Sequence, residues 1–248
     1  MMKKIGIVGG VGWPSTIEYY RLICEASQLY HEGEALTGSV PMPQISIESL
    51  DMNFTLSHWG SSEPGSWDKW DNYFNSALSR LVKNGAELLL VASATPHTRL
   101  NDISKGIDVP IISIYDSVAQ HCTSNGIRNL LILGTMPTMN SPAFKNALHS
   151  FGINAEYPKI DAMKEGVVDV IQRLYQNKTD GAAADIEEIV KASVSANDLG
   201  NTAVCLGCTE LPLAFQGVKN ESRFEHNKIK YINSSVIHAL SVFHACVT

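Results

Sequence analysis

Cys208 lies in the run Leu206-Gly207-Cys208-Thr209-Glu210, directly after the apolar stretch 203–206. A thiol at the end of a buried strand has chemistry open to it. The thiolate is the reactive form, and its reference pKa of about 8.5 can be lowered at a helix N-terminus. Glu210, two residues on, is near enough through the turn to exchange a proton with it. Cys205 and Cys208 also form a CxxC, which admits a redox or metal reading. A zinc site would need a second ligand pair at comparable spacing, and the chain offers none. Cys205 falls inside the apolar run and is expected to be buried. Cys24, Cys122 and Cys246 read as helical core residues.

A second constellation is Val91-Ala92-Ser93-Ala94-Thr95-Pro96-His97. Ser93 occupies a strand end, Thr95 follows, and His97 lies about one turn further on, as an acid/base group, a substrate contact or a structural ring. Near the start, Gly9-Gly10-Val11-Gly12 leads into Ser15 and Thr16. The last glycine of a dinucleotide fingerprint would fall at Ser15, and no Lys-Ser/Thr pair closes a phosphate loop. Two readings stay open here. The hydroxyls and helix N–H groups could accept a carboxylate-sized anion, or the segment could be a tight turn with Ser15 as N-cap. Gly134-Thr135-Met136-Pro137-Thr138 offers hydroxyls at the equivalent place of a later segment.

The elements that must position these residues follow from the pattern. Strands are expected at 4–8, 44–47, 88–92, 110–114, 129–133, 155–157, 202–206 and 230–232, with amphipathic helices between them. Apolar strands alternating with helices predict an α/β protein with parallel sheets covered on both faces. Three pairs of segments match in the same order: 4–16 with 129–141, 85–97 with 201–212, and 110–118 with 228–236. That order predicts duplicated halves, with a first domain of 1–115 plus 221–248 and a second of 116–220. Residues 53–66 are rich in Gly and Ser and read as a surface loop or a substrate cover, with His58 and Trp59 candidates for contact.

Composition narrows the function. Hydrophobic residues are 44% and charged ones 18%, so the chain is apolar enough to build cores. The net charge of −6 without a basic block argues against nucleic acid, and no stretch is long enough for a membrane span. Five scattered cysteines argue against a disulfide framework, so a cytoplasmic location is expected.

Together, GGVGWPST, ASATPH, LGTMPTM and LGCTE resemble the signatures of the aspartate/glutamate racemase superfamily, over essentially the whole chain. The resemblance implies two similar flavodoxin-like α/β domains with the site in the cleft between them, commonly as a homodimer. It implies a small amino acid or dicarboxylate as substrate, with no pyridoxal phosphate, no metal and no other cofactor. Two residues would exchange the α-proton on opposite faces of the substrate. By position these are Cys208 and Ser93, the latter standing where most members have a cysteine. Thr95 and Thr209 would hold the α-carboxylate or amine. Glu210 is the neighbouring carboxylate, Ser15 and Thr16 match the first loop, and Lys164 lies near where members place a basic residue that can meet a side-chain carboxylate. Thr135 and Thr138 join them as substrate contacts.

The departures are Ser93 itself, Ala94 where the pattern has Asn, and no arginine between 44 and 56 to clamp a distal carboxylate. A serine hydroxyl is a far weaker acid than a thiol, so the two directions become chemically unequal. A one-cysteine decarboxylase or isomerase of the same superfamily, or a catalytically degenerate carboxylate-binding relative, are the alternatives.

Overall fold

The computed structural model describes residues 2–35, 38–218 and 220–248. The chain forms two compact units, Met1–Ser113 with His238–Thr248, and Ile114–Ile237. The first contains β1 (Ile5–Gly9), α1 (Trp13–Tyr30), β2 (Ile45–Ser49), α2 (Met52–Ser57), α3 (Asp68–Lys83), β3 (Leu88–Val91) and α4 (Leu100–Ile103). Its sheet runs β2-β1-β3, all parallel, with Ile5 opposite both Ile45 and Leu88. β1 and β3 are buried along their whole length, as a sheet covered on both faces requires. α3 lays Trp70, Phe74, Ala77, Leu78 and Leu81 into a core shared with Val8, Leu89 and Val91. That spacing is one face of a helix.

The second unit contains α5 (Ile114–Ser124), β4 (Asn129–Leu133), α6 (Met136–Asn140), α7 (Ala143–Ser150) and β5 (Asn154–Glu156). It continues with α8 (Asp161–Tyr175), α9 (Ala182–Ser193), β6 (Thr202–Leu206), β7 (Arg223–His226) and β8 (Ile229–Asn233). α10 (Ser234–Val247) carries the chain back into the first unit. The sheet order is β5-β4-β6-β8-β7.

The duplication is visible in the topology. In each unit the first strand is central, the second strand pairs on one side of it and the third on the other, all parallel. The counterpart of β8 in the first unit is reduced to a single parallel bridge, Leu89 to Ile111, so the strand expected at 110–114 is not formed as a strand. Two backbone hydrogen bonds hold it, Leu89 N–H to the Pro110 carbonyl and Ile112 N–H to the Leu89 carbonyl. α5 begins at Ile114 and cuts it short.

Three further expectations change. Residues 221–237 were expected with the first domain, but β8 hydrogen-bonds to β6 from Ala203–Lys230 to Leu206–Asn233, so the return to the first unit comes only at His238. The sheet is not purely parallel, because β7 pairs antiparallel with β8 through a two-residue turn. Asn227 and Lys228 there both take positive φ, the geometry of a type I′ hairpin. Finally, the segment 53–66 is not all loop. Asp51 caps α2 by accepting the Asn53 N–H at 2.9 Å, and His58 stacks on Phe54 with ring centroids 4.0 Å apart. Among the described residues no helix is long and apolar enough to cross a membrane.

Candidate active site

In both units the candidate residue stands two places beyond the end of the third parallel strand. Ser93 follows β3, which ends at Val91, and Cys208 follows β6, which ends at Leu206. Carboxyl ends of parallel strands are where open α/β sheets bind ligands. A short 3-10 turn succeeds each, Thr95–Arg99 and Leu211–Ala214.

Gly207 sets the Cys208 turn. Its N–H donates to the Leu133 carbonyl at 2.8 Å, and a Cβ there would stand 2.8 Å from that same oxygen. Only glycine lets the end of β6 press so closely on β4. The thiol that follows is 4% exposed and donates to Glu210 Oε2 at 3.1 Å. Thr209 Oγ1 donates to the same oxygen at 3.1 Å. Burial, then the Glu210 charge, push the Cys208 pKa well above the ordinary thiol value. The expectation of a lowered pKa is therefore corrected: the turn after Cys208 is four residues of 3-10 helix, too short to bring a helix dipole to bear against a buried carboxylate. The resting group is a thiol.

Tyr175, the last residue of α8, completes this cluster and escapes a reading of the motifs. Its side chain hydrogen-bonds to Cys208 and feels the Glu210 charge, and burial followed by that charge raises its own pKa. A phenol that donates to sulfur favours the thiolate, in opposition to Glu210. No local signal marks it, since it lies 33 residues before the thiol and reaches it only because α8 packs on the turn after Cys208. Lys164 sits near the opposite end of α8, about 16 Å away along the axis, where its partner is Asp161 at 3.5 Å. Cys205 is fully buried inside β6, and burial raises its pKa strongly. Among the described residues no three His, Cys, Asp or Glu side chains are grouped to hold a metal.

The loop after β4 is a cap. Thr135 is the N-cap of α6, accepting from Thr138 N–H at 3.4 Å, with the two hydroxyls 3.0 Å apart. Both threonines are buried.

In the first unit the reading of Ser15 as N-cap is corrected. α1 begins at Trp13 with Gly12 as an N-cap that makes no side-chain bond, so Ser15 lies inside the first helical turn. Thr16 Oγ1 accepts the Gly10 N–H at 2.8 Å and folds the loop back on its own helix. Gly10 takes φ of +76°, which brings its α-carbon against the Leu50 backbone and leaves no room for a side chain. Ser93 is half-buried, while Ala94 and Thr95 are buried.

His97 is buried edge-on to His238, with ring centroids 5.5 Å apart. His238 bridges the Ile112 carbonyl at 2.9 Å and the Tyr19 hydroxyl at 2.8 Å. A carbonyl only accepts, so Nε2 carries the proton and Nδ1 receives the Tyr19 O–H. Burial, then the neighbouring His238, lower His97 to about 3, and burial lowers His238 to about 4. A ring so disposed suits a neutral core histidine more than an acid/base group.

With this geometry in hand, comparison with known proteins is decisive on kinship. The model of the Asp/Glu/Hydantoin racemase family matches residues 8–242. The chain belongs to that family. A glutamate racemase from Clostridium botulinum (strain Alaska E43 / Type E3) is 28% identical over 144 residues. That match covers 56% of this chain and only about half, 52%, of the other. The crystal structure of an aspartate racemase homologue from Pyrococcus horikoshii OT3 superposes with a TM-score of 0.76 at 28% identity, over 100% of both chains. Picrophilus torridus aspartate racemase shares the fold at a TM-score of 0.72 and 18% identity, over 98% of this chain and 94% of the other. Like the racemase-family chains it resembles, this one is an α/β protein with parallel sheets.

Proposed function

We propose that this protein is a cofactor-independent amino-acid racemase of the aspartate/glutamate type, with Cys208 and Ser93 as the two groups that move the α-proton. The carrying observation is the buried thiol of Cys208 donating to Glu210 at 3.1 Å. Because the thiol rests protonated, its first act is to give a proton to the carbanion carbon. The thiolate left behind is reprotonated from solvent, with Glu210 picking up the proton and passing it on to sulfur. In the reverse direction Glu210 takes the thiol proton, and the thiolate so formed removes the α-hydrogen. Ser93 serves the other face: it takes the α-hydrogen as the alkoxide left when its own proton passes to solvent, and in the reverse direction it gives its hydroxyl proton to the carbanion.

Thr95 and Thr209, with backbone N–H groups of the two turns, would orient the α-carboxylate. Ser15, Thr16, Thr135 and Thr138 would be further substrate contacts on loops that Thr16, Thr135 and Thr138 also help to shape, and Lys164 would meet a side-chain carboxylate. Nothing in the fold or the relatives favours the decarboxylase reading. The family match and the related aspartate and glutamate racemases support a polar, acidic amino acid as substrate.

The homodimer reading is supported by α1, where Trp13, Ile17 and Tyr20 form one apolar stripe, each at least half exposed. Sedimentation at a single-chain mass of 27.1 kDa would count against it. A cytoplasmic location is supported by five cysteines scattered without disulfide spacing.

The activity is tested by incubating the enzyme with each enantiomer of aspartate, glutamate and other polar amino acids in D2O. Deuterium should enter Cα during turnover, and Cys208→Ala should lower that exchange by about 1,000-fold or more. Absence of exchange across the panel would sink the proposal.

A further inference from the structure

At the far end of the second sheet from Cys208 lies a cavity of about 690 Å³, lined by the segments that enter β4, β6 and β8. Asn129 opens β4, Gly200 and Asn201 precede β6, and Lys230 stands near the start of β8. Five-residue strands put about 16 Å between this edge and the loops that carry Thr135 and Cys208.

The charge of the lining is unlike that of the rest of the chain. Three cations, Arg128, Arg223 and Lys230, line it against one carboxylate, Glu225, in a protein of net charge −6. Of the six arginines, Arg21, Arg80, Arg99 and Arg173 are held in ion pairs. Among the described residues, Arg128 and Arg223 are the two that are not, and both are here. Lys230 donates to the Gly200 carbonyl at 3.0 Å, which orients the ammonium without neutralising it. In the β7–β8 ladder Arg223 faces Ile232 and Glu225 faces Lys230, so alternation puts all four side chains on one face of the hairpin. The Arg223 charge is felt inside the unit: His121 has its pKa lowered, first by burial and then by Arg223.

Two guanidinium groups present planar donor forks suited to carboxylate or phosphate oxygens. The cavity is also much larger than a single small anion, and Ile127 adds an apolar edge to its lining. We propose that this cavity binds a small organic anion of two or more negative charges, a phosphate ester or a polycarboxylate, through Arg128, Arg223 and Lys230. The ligand is held apart from the reacting groups, so it need not resemble the amino-acid substrate.

The experiment is calorimetric titration of the whole protein with inorganic pyrophosphate and, separately, with citrate, at about 0.15 M salt. At least one probe should saturate at one site per chain, and which one does tells a phosphate from a carboxylate ligand. The double variant Arg128→Gln/Arg223→Gln should bind that probe at least about tenfold more weakly, while Arg80→Gln, which removes an arginine elsewhere, should not. Both cavity arginines are exposed, so the variant is expected to keep the wild-type melting temperature and racemase rate. The proposal is overturned if neither probe saturates. It also fails if the double variant binds as the wild type does, which would put the probe elsewhere, the amino-acid site included.

Discussion

The proton on Cys208 is governed by two opposed neighbours. Glu210 accepts it at 3.1 Å and holds it in place, while the Tyr175 hydroxyl donates to sulfur and favours its departure. Tyr175 is a positioning residue in this account, acting on the reaction through the thiol. Replacing it with Phe removes the donor and keeps the ring, so the thiol becomes still harder to ionise. In the direction that uses Cys208 as the base, kcat/KM of Tyr175→Phe should fall about tenfold at neutral pH, the cost of one hydrogen bond to a developing charge. The alkaline rise of its pH profile should move upward as well. A uniform loss with an unshifted profile would mean that the phenol merely packs.

At the scale of elements, the reactive turns depend on contacts with no slack. Gly207 lies 2.8 Å from the Leu133 carbonyl at the position a Cβ would take, and 3.1 Å from Ile132 Cγ2. Both belong to β4, a buried strand that cannot move aside. Gly207→Ala must therefore push the end of β6 outward and carry Cys208 with it. The expected result is a stability loss of about 1–3 kcal/mol, read by urea unfolding, with a larger fall in kcat than in substrate affinity. Wild-type turnover in this variant would show that the turn is more tolerant than its packing implies.

The molecule as a whole stores an acid sensitivity in its first unit. His97 and His238 titrate at about 3 and about 4 in the folded chain, against about 6.5 when unfolded. Below about pH 6.5 the unfolded chain takes up protons that the native one refuses, so stability is full above that value and is lost as pH falls toward 4. The slope approaches about 1.4 kcal/mol per pH unit for each histidine. Urea midpoints measured between those limits should drop steadily, and a flat profile would contradict the buried neutral pair.

Much of this architecture could be read from residue order alone. Apolar strands alternating with amphipathic helices imposed the parallel α/β class, because a strand buried on both faces must be apolar throughout. Matched segments exposed the duplication, and LGCTE put a thiol and a carboxylate two residues apart, close enough to bond. Other features were settled only by packing. Tyr175 reaches Cys208 because α8 lies against the turn after β6. The edge strand β7 carries charged, exposed residues that hide its pairing. The acidity of Cys208 is likewise set by packing. A pKa answers to burial and to charges within a few ångströms, and neither quantity exists until the chain has folded around the group.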